Sequence, residues 1–121
     1  MDIYRQEILD HFKHPRNFGE IKKATHKGMD RNTSCGDIIE MSLVLKKGRV
    51  KEVMFKGEGC AVSMAGASML TEKIKGKKVE EIVKMGDKDI EKMLNIKISS
   101  ARKKCAELGL LVCQKSLKTV I

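Results

Sequence analysis

The sequence predicts an α+β domain, with helices packed on one face of a small antiparallel three-stranded sheet. Three observations carry that expectation. Ile39, Met41, Leu43 and Leu45 alternate with Ile38, Glu40, Ser42 and Val44, the period of a half-buried strand. Lys46-Lys47-Gly48 is a short turn, and Arg49 to Lys56 reads as the returning strand of a hairpin. From Ala61 onward the chain reads as helical, so strands and helices are segregated along it. A length of 121 residues fits one compact domain, residues 1–121.

Taken in order, Asp2 can cap a first helix over residues 3 to 13. Tyr4, Ile8 and Phe12 fall at i, i+4 and i+8 with Leu9 beside them, forming one apolar stripe. Pro15 ends this helix, because the residue before proline is pushed out of the helical region. His11 and His14 lie at that end, where a positive charge favours the helix dipole. Residues 24 to 29 are a weak strand candidate preceding the hairpin. Gly57-Glu58-Gly59 breaks the second hairpin strand. Ala61 to Ile74 is rich in Ala, Met and Leu, and Gly76 stops it. Val79 to Met85 and a segment through Leu94 are short helices separated by Gly86-Asp87. Ser99 or Ser100 can cap a last helix reaching about Lys118.

Composition narrows the function classes. Hydrophobic residues make up 41% of the chain and aromatics only 3%, with no Trp, so the core is aliphatic and rich in Met. The balance of 25 Lys+Arg against 16 Asp+Glu gives a net +9, which suits acidic partners. The lysines are scattered and stacking aromatics are scarce, which argues against nucleic acid. The charge can instead steer encounters with an acidic patch on a partner protein. No apolar run approaches the ~18 residues needed to cross a bilayer, and the first residues show no secretory pattern. The expectation is a cytoplasmic protein without a membrane role.

Cytoplasmic thiols normally stay reduced, so four cysteines point to metal, cluster or sulfur chemistry more than to two disulfides. Cys35 lies in the turn-like Asn32-Thr33-Ser34-Cys35-Gly36-Asp37. Cys60 follows Gly57-Glu58-Gly59 and precedes a helix. Cys105 follows Arg102-Lys103-Lys104 in the first turns of the last helix. Helix N-termini and neighbouring cations are expected to favour their thiolates. The nearby glycines let backbone approach a bulky centre. Cys113 shares a helical stripe with Ala106, Leu110 and Leu117 and reads as a small core residue. Asp37 can add an oxygen ligand. Three thiolates and a carboxylate suit Zn²⁺ or an iron–sulfur cluster with one hard, labile ligand. On residue chemistry alone, a surface Asp37 beside core thiols remains the alternative.

Four segments, in order, resemble the iron–sulfur cluster assembly scaffold proteins of the IscU/SufU/NifU N-terminal type. Tyr4 through Gly19 is similar to the family's opening helix and its His/Asn-Pro-Arg-Asn-x-Gly turn. Cys35-Gly36-Asp37 is similar to its Cys-Gly-Asp motif. Phe55 through Ser63, continued by Ala65-Gly66-Ala67-Ser68-Met69, resembles the second cysteine segment, and Arg102-Lys103-Lys104-Cys105-Ala106 the third.

The resemblance implies that Cys35, Asp37, Cys60 and Cys105 converge as ligands at one exposed end. It implies a scaffold, not an enzyme in the strict sense, that takes persulfide sulfur from a cysteine desulfurase. With iron and electrons, a transient [2Fe-2S] cluster is built there and passed to apo iron–sulfur acceptor proteins, with a homodimer as one arrangement. Cys105 takes the sulfur-acceptor role. The chain also departs from the IscU branch. Lys104 stands where that branch usually has His, and residues 95 to 100 lack its Pro-containing chaperone-recognition stretch. Arg102 and Lys104 resemble the SufU branch, which implies a zinc-dependent sulfurtransferase-type partner of a desulfurase. The 45-residue gap between Cys60 and Cys105 is instead of IscU length.

Overall fold

The structure, a computed structural model, describes residues 3–120. The asparagine, glycine and proline punctuation divides them into eight elements. These are α1 (Ile3–Lys13), β1 (His26–Asn32), β2 (Asp37–Lys46), β3 (Arg49–Glu58), α2 (Ala61–Ile74), α3 (Val79–Val83), α4 (Asp87–Leu94) and α5 (Ser100–Ser116). The expected cap at Asp2 and the side chain of Tyr4 lie outside the described residues.

The three strands form an antiparallel sheet in the order β1-β2-β3. Alternation along β2 sends Ile39, Met41 and Leu43 inward, where each is fully buried. Val53 and Phe55 oppose Leu43 and Met41 on the same face. Helices α2 and α5 cover this face, α2 against β3 and α5 against β1 and β2, while α1 packs on α2. The opposite face carries Glu40 and Lys56, paired across the ladder, and Glu20 and Lys27 close a four-charge network over it.

Small residues bring α2 and α5 close together. A Cβ placed at Gly109 would sit 3.1 Å from Ala67 Cα, and one at Gly66 would sit 3.2 Å from the Ala106 carbonyl. The Met- and Ala-rich α2 is therefore buried on most sides. Its small side chains trade contact area for close helix approach. That approach brings the N-terminal ends of α2 and α5, with Cys60 just before the one and Cys105 in the second turn of the other, to the same end of the sheet.

Several boundaries differ from the sequence reading. β1 runs His26–Asn32, further along than residues 24 to 29. Its polar residues gain strand geometry from pairing with β2, His26 opposite Leu43 through Asn32 opposite Asp37. β3 continues through Gly57 to Glu58 because glycine is what the ladder needs there. A Cβ at Gly57 would meet the Ile38 carbonyl oxygen at 2.1 Å. The last helix ends at Ser116, and Ser99 sits at its cap position without a side-chain capping bond.

The α1 stripe is also rotated from expectation. Ile8 is buried, but Leu9 and Phe12 are 36% and 40% exposed. The buried partner of Ile8 is His11, which faces α2 instead of supplying charge at the helix end. His11 Nδ1 lies 2.7 Å from Ser68 Oγ, which also accepts the Arg16 backbone N–H at 2.8 Å. Burial, then the Arg16 charge, holds the imidazole below its ordinary range. Next to it, Asn17 adopts a left-handed backbone (φ 55°) and donates its amide to Thr71 Oγ1 at 3.0 Å. Backbone bonds from Phe55 to Asn17 and from Gly19 to Phe55 then seal the free edge of β3.

Candidate metal centre

Period-2 geometry explains why an aspartate faces a core. Asp37 is the first residue of β2 and points to the same side as Ile39 and Met41, so its side chain enters the helix-covered face at the sheet's end. It is 1% exposed. A buried carboxylate needs partners, and here they come from the cysteines. Asp37 Oδ1 accepts the Cys60 backbone N–H at 3.0 Å, just before α2 begins. Asp37 Oδ2 accepts the Cys35 thiol at 3.0 Å and lies 3.7 Å from Cys60 Sγ.

Cys35 reaches this point through a tight turn. The N–H groups of Cys35 and Gly36 donate to the Asn32 carbonyl at 3.3 and 2.8 Å, and Gly36 takes φ +76°. Cys105, in the second turn of α5, places its sulfur 3.2 Å from Cys35 Sγ. One ligand atom each from Cys35, Asp37 and Cys105 lies within 4.8 Å of the others. Cys60 stands at the margin of that group, tied to it through Asp37. The thiols range from exposed Cys35 through half-buried Cys60 to buried Cys105.

Gly59 has a specific task. A Cβ there would fall 2.6 Å from Asp37 Oδ1 and 2.6 Å from Ser63 Oγ. Glycine thus keeps the carboxylate seated, while at Gly36 the space beside the backbone is open and only the positive φ asks for glycine.

The electrostatics correct one expectation. The Cys105 thiol is pushed up to about 12, first by burial, then by hydrogen bonds to Cys35 and Asp37 and by the charges of Cys60 and Asp37. Burial also opposes ionisation of Asp37, but the hydrogen bonds from Cys35, the Cys60 N–H, Cys105 and Ser63 outweigh it and hold the carboxyl below its ordinary range. A carboxylate is thus ionised among crowded thiols, an arrangement that a soft cation would relieve. The donor set therefore fits Zn²⁺ or an iron–sulfur cluster.

Cys113 is fully buried, and burial alone pushes its thiol up to about 12, as befits a core residue. Arg102 and Lys104 are exposed on α5 and, among the described residues, make no hydrogen bond or ion pair with the cysteines. Lys103 between them pairs with Asp87 at 2.5 Å, tying α5 to α4. Two residues without an assigned role in the sequence reading belong to the cluster. Ser63 Oγ lies 3.6 Å from Cys60 Sγ and donates to the Cys60 carbonyl at 3.1 Å. Asn32 Nδ2 donates to Cys105 Sγ at 3.7 Å, while Asn32 Oδ1 accepts the Ser34 N–H. The signal for Ser63 was its place three residues after Cys60, in the first helical turn. For Asn32 it was the register opposite Asp37, which sequence alone did not supply.

The family model described as the NifU-like N terminal domain matches residues 3–120. The chain is 36% identical to the zinc-dependent sulfurtransferase SufU of Bacillus subtilis, over 95% of this chain and 89% of that protein. It is 32% identical to the iron–sulfur cluster assembly scaffold protein IscU of Thermotoga maritima, over 98% of this chain and 94% of that one. Among solved structures, a SUF-system cluster assembly scaffold from Fervidobacterium islandicum superposes with a TM-score of 0.79 at 26% identity, covering 93% and 94% of the two chains. Motifs, sheet order and sequence agree, and the chain belongs to the NifU-like N-terminal domain family.

Proposed function

We propose that this protein is a scaffold on which [2Fe-2S] clusters are assembled as cargo and passed to apo iron–sulfur proteins. The observation that carries this is the convergence of three cysteines, from a turn and two helix starts, around the buried carboxylate of Asp37. In this reading Cys35, Cys60 and Cys105 are the sulfur ligands and Asp37 the oxygen ligand. Carboxylate oxygen is a hard donor to a soft centre, which favours release over storage. Cys105 accepts sulfur from a cysteine desulfurase. Its thiolate attacks the outer sulfur of the enzyme's persulfide, and the enzyme's cysteine leaves as thiolate. Exposed Lys104 and Arg102 supply positive charge beside that encounter and need not be ligands. In this reading the work is done in the cytoplasm, where thiols stay reduced. The reading has no part for nucleic acid or a membrane. Among the described residues no helix is long and apolar enough to cross one. A homodimer remains compatible with it.

A second reading has its own support. The Bacillus subtilis relative is named a zinc-dependent sulfurtransferase, and Arg102 and Lys104 of this chain flank the third cysteine. Here Zn²⁺ would sit on Cys35, Asp37, Cys60 and Cys105 and act as a clip on the fold, while sulfur accepted from the desulfurase moves on without cluster assembly. Anaerobic purification with measurement of iron, acid-labile sulfide, zinc and the visible spectrum separates the two. Iron and sulfide in equal amounts, with visible absorption, establish the scaffold. Stoichiometric zinc, with no cluster after reconstitution with iron and a desulfurase, overturns it in favour of the second reading.

A further inference from the structure

We propose that Cys35 discharges the sulfur carried by Cys105, releasing it as sulfide and leaving a Cys35–Cys105 disulfide. The inference rests on the reading above in one respect, that Cys105 carries a persulfide. Sulfane sulfur must gain two electrons to become the sulfide of a cluster, and this route draws them from two thiols already in place.

Geometry selects the reaction. A thiol beside a persulfide can attack either of its sulfurs. Attack on the outer sulfur only moves it from one cysteine to the next. Attack on the inner sulfur forms a protein disulfide and expels sulfide. Cys35 Sγ and Cys105 Sγ, the two atoms that must bond for the second outcome, are 3.2 Å apart. That is the separation of a near-attack arrangement. Cys60 is outside the tight group that holds these atoms, so it is not the nearest nucleophile. Two contacts hold the pair in place. Cys35 donates to Asp37 Oδ2 at 3.0 Å, and the Asn32 side chain bridges the Ser34 N–H of the Cys35 turn and the Cys105 sulfur. The exposures differ in the useful sense, with an exposed nucleophile and a buried sulfur under attack.

The step balances without an external oxidant. Cys105–S–SH and Cys35–SH give Cys105–S–S–Cys35 and H₂S. The S–S bond within the persulfide breaks and the Cys35–Cys105 bond forms. The leaving sulfur is reduced by two electrons, the two cysteine sulfurs are oxidised, and both protons depart with the sulfide. Hydrosulfide is a weakly basic leaving group, which favours its expulsion over that of a cysteine thiolate. A thiol reductant restores the two cysteines before the next round.

The test uses the full chain, stripped of metal with a chelator and charged anaerobically by a desulfurase with a limiting amount of cysteine that is turned over completely, without iron or any other thiol. After the desulfurase is removed, sulfide is measured and the cysteines are mapped by mass spectrometry. The expected result is one sulfide for each Cys105 persulfide consumed, with a Cys35–Cys105 disulfide. In Cys35→Ser the persulfide on Cys105 should persist and sulfide release should fall by at least about tenfold. A persulfide that is stable on Cys105 in the unmodified protein, or a disulfide made with Cys60 instead, overturns the proposal and leaves the acceptor role of Cys105 intact. Absence of any persulfide on Cys105 in Cys35→Ser overturns that role, and this proposal with it.

Discussion

Two buried polar clusters lie at α2, and they are built on opposite principles. Near its middle, Ser68 and Thr71 join His11, Arg16 and Asn17 in a clasp that fastens α1 and the following loop. At its start, Asp37, Ser63 and three cysteines form the candidate metal centre. In the clasp, the side chains of Ser68 and Thr71 meet partners from α1 and the following loop, and the titratable ring is held neutral. In the metal centre, a carboxylate kept ionised faces a thiol pushed up to about 12. The first cluster is complete and contributes stability. The second leaves an ionised carboxylate among crowded thiols, the donor set that the proposed metal or cluster would use.

The largest expected effect breaks the clasp. Ser68→Ala removes the shared hydroxyl and leaves the buried His11 ring nitrogen and the half-buried Arg16 N–H without that partner. Each orphaned group costs about 1–3 kcal/mol, so the loss in a denaturant titration should be about 3 kcal/mol. Zinc affinity should be unchanged, because Ser68 touches none of the cysteines. A loss near zero would mean that the clasp does not stabilise the fold.

Next comes the metal centre. Zinc at about one hundred times its dissociation constant should add about 2.7 kcal/mol to the stability of the unmodified chain. Thermal unfolding with and without zinc reads this directly. The gain should vanish in an Asp37→Ala, Cys60→Ala double variant and persist in Ser68→Ala. An equal gain in the double variant would locate zinc elsewhere.

The contrast also shows what sequence could and could not disclose. The β2–β3 hairpin was legible because its alternation is strict and its turn is short. The meeting of Cys35, Asp37, Cys60 and Cys105 was legible because they stand inside three motifs in fixed order. The clasp was not, since a histidine at a helix end carries no mark of burial. His11 is inside only because α1 turns Phe12 partly toward solvent, a choice made by packing on α2. β1 was displaced for a related reason. The residues from Asp30 to Asn32 carry no hydrophobic pattern, and the strand exists through its ladder with β2. That same ladder aligns Asn32 with Asp37 and so brings it to Cys105.

Acid should separate the two clusters by pH. The folded-state pKa of His11 is lowered, so the unfolded chain binds the extra proton first. Stability from the clasp is fully present above the ordinary histidine value of about 6.5 and declines as pH falls below it. Glu72 Oε1, 3.7 Å from Nε2, partly compensates the charged ring, which makes this smaller than the loss in Ser68→Ala. Asp37 is also lowered, but from 3.8, so its contribution is present above that value and is lost only in stronger acid. Stability measured from pH 8 to pH 3 should therefore decline in two stages. His11→Gln should remove the upper stage and leave the lower. A single stage in the unmodified protein would show that the buried ring is not what titrates.

The smallest effect is expected where charge is most conspicuous. Glu20 is held down to about 2, first by its hydrogen bonds to Lys27 and Lys56 and then by their charges. The network is open to water, however, and its side chains are between 29% and 43% exposed. Solvent screens such pairs, and ordering long side chains offsets much of their attraction. Glu20→Gln should therefore shift the unfolding midpoint less than any change above, and its effect should shrink further in 1 M salt, where screening acts within about 3 Å. The clasp variant should keep its full penalty in the same salt, because its groups are buried and the ring is neutral. A salt-resistant loss in Glu20→Gln would place this surface network among the structural clusters and give the outer sheet face a stabilising role of its own.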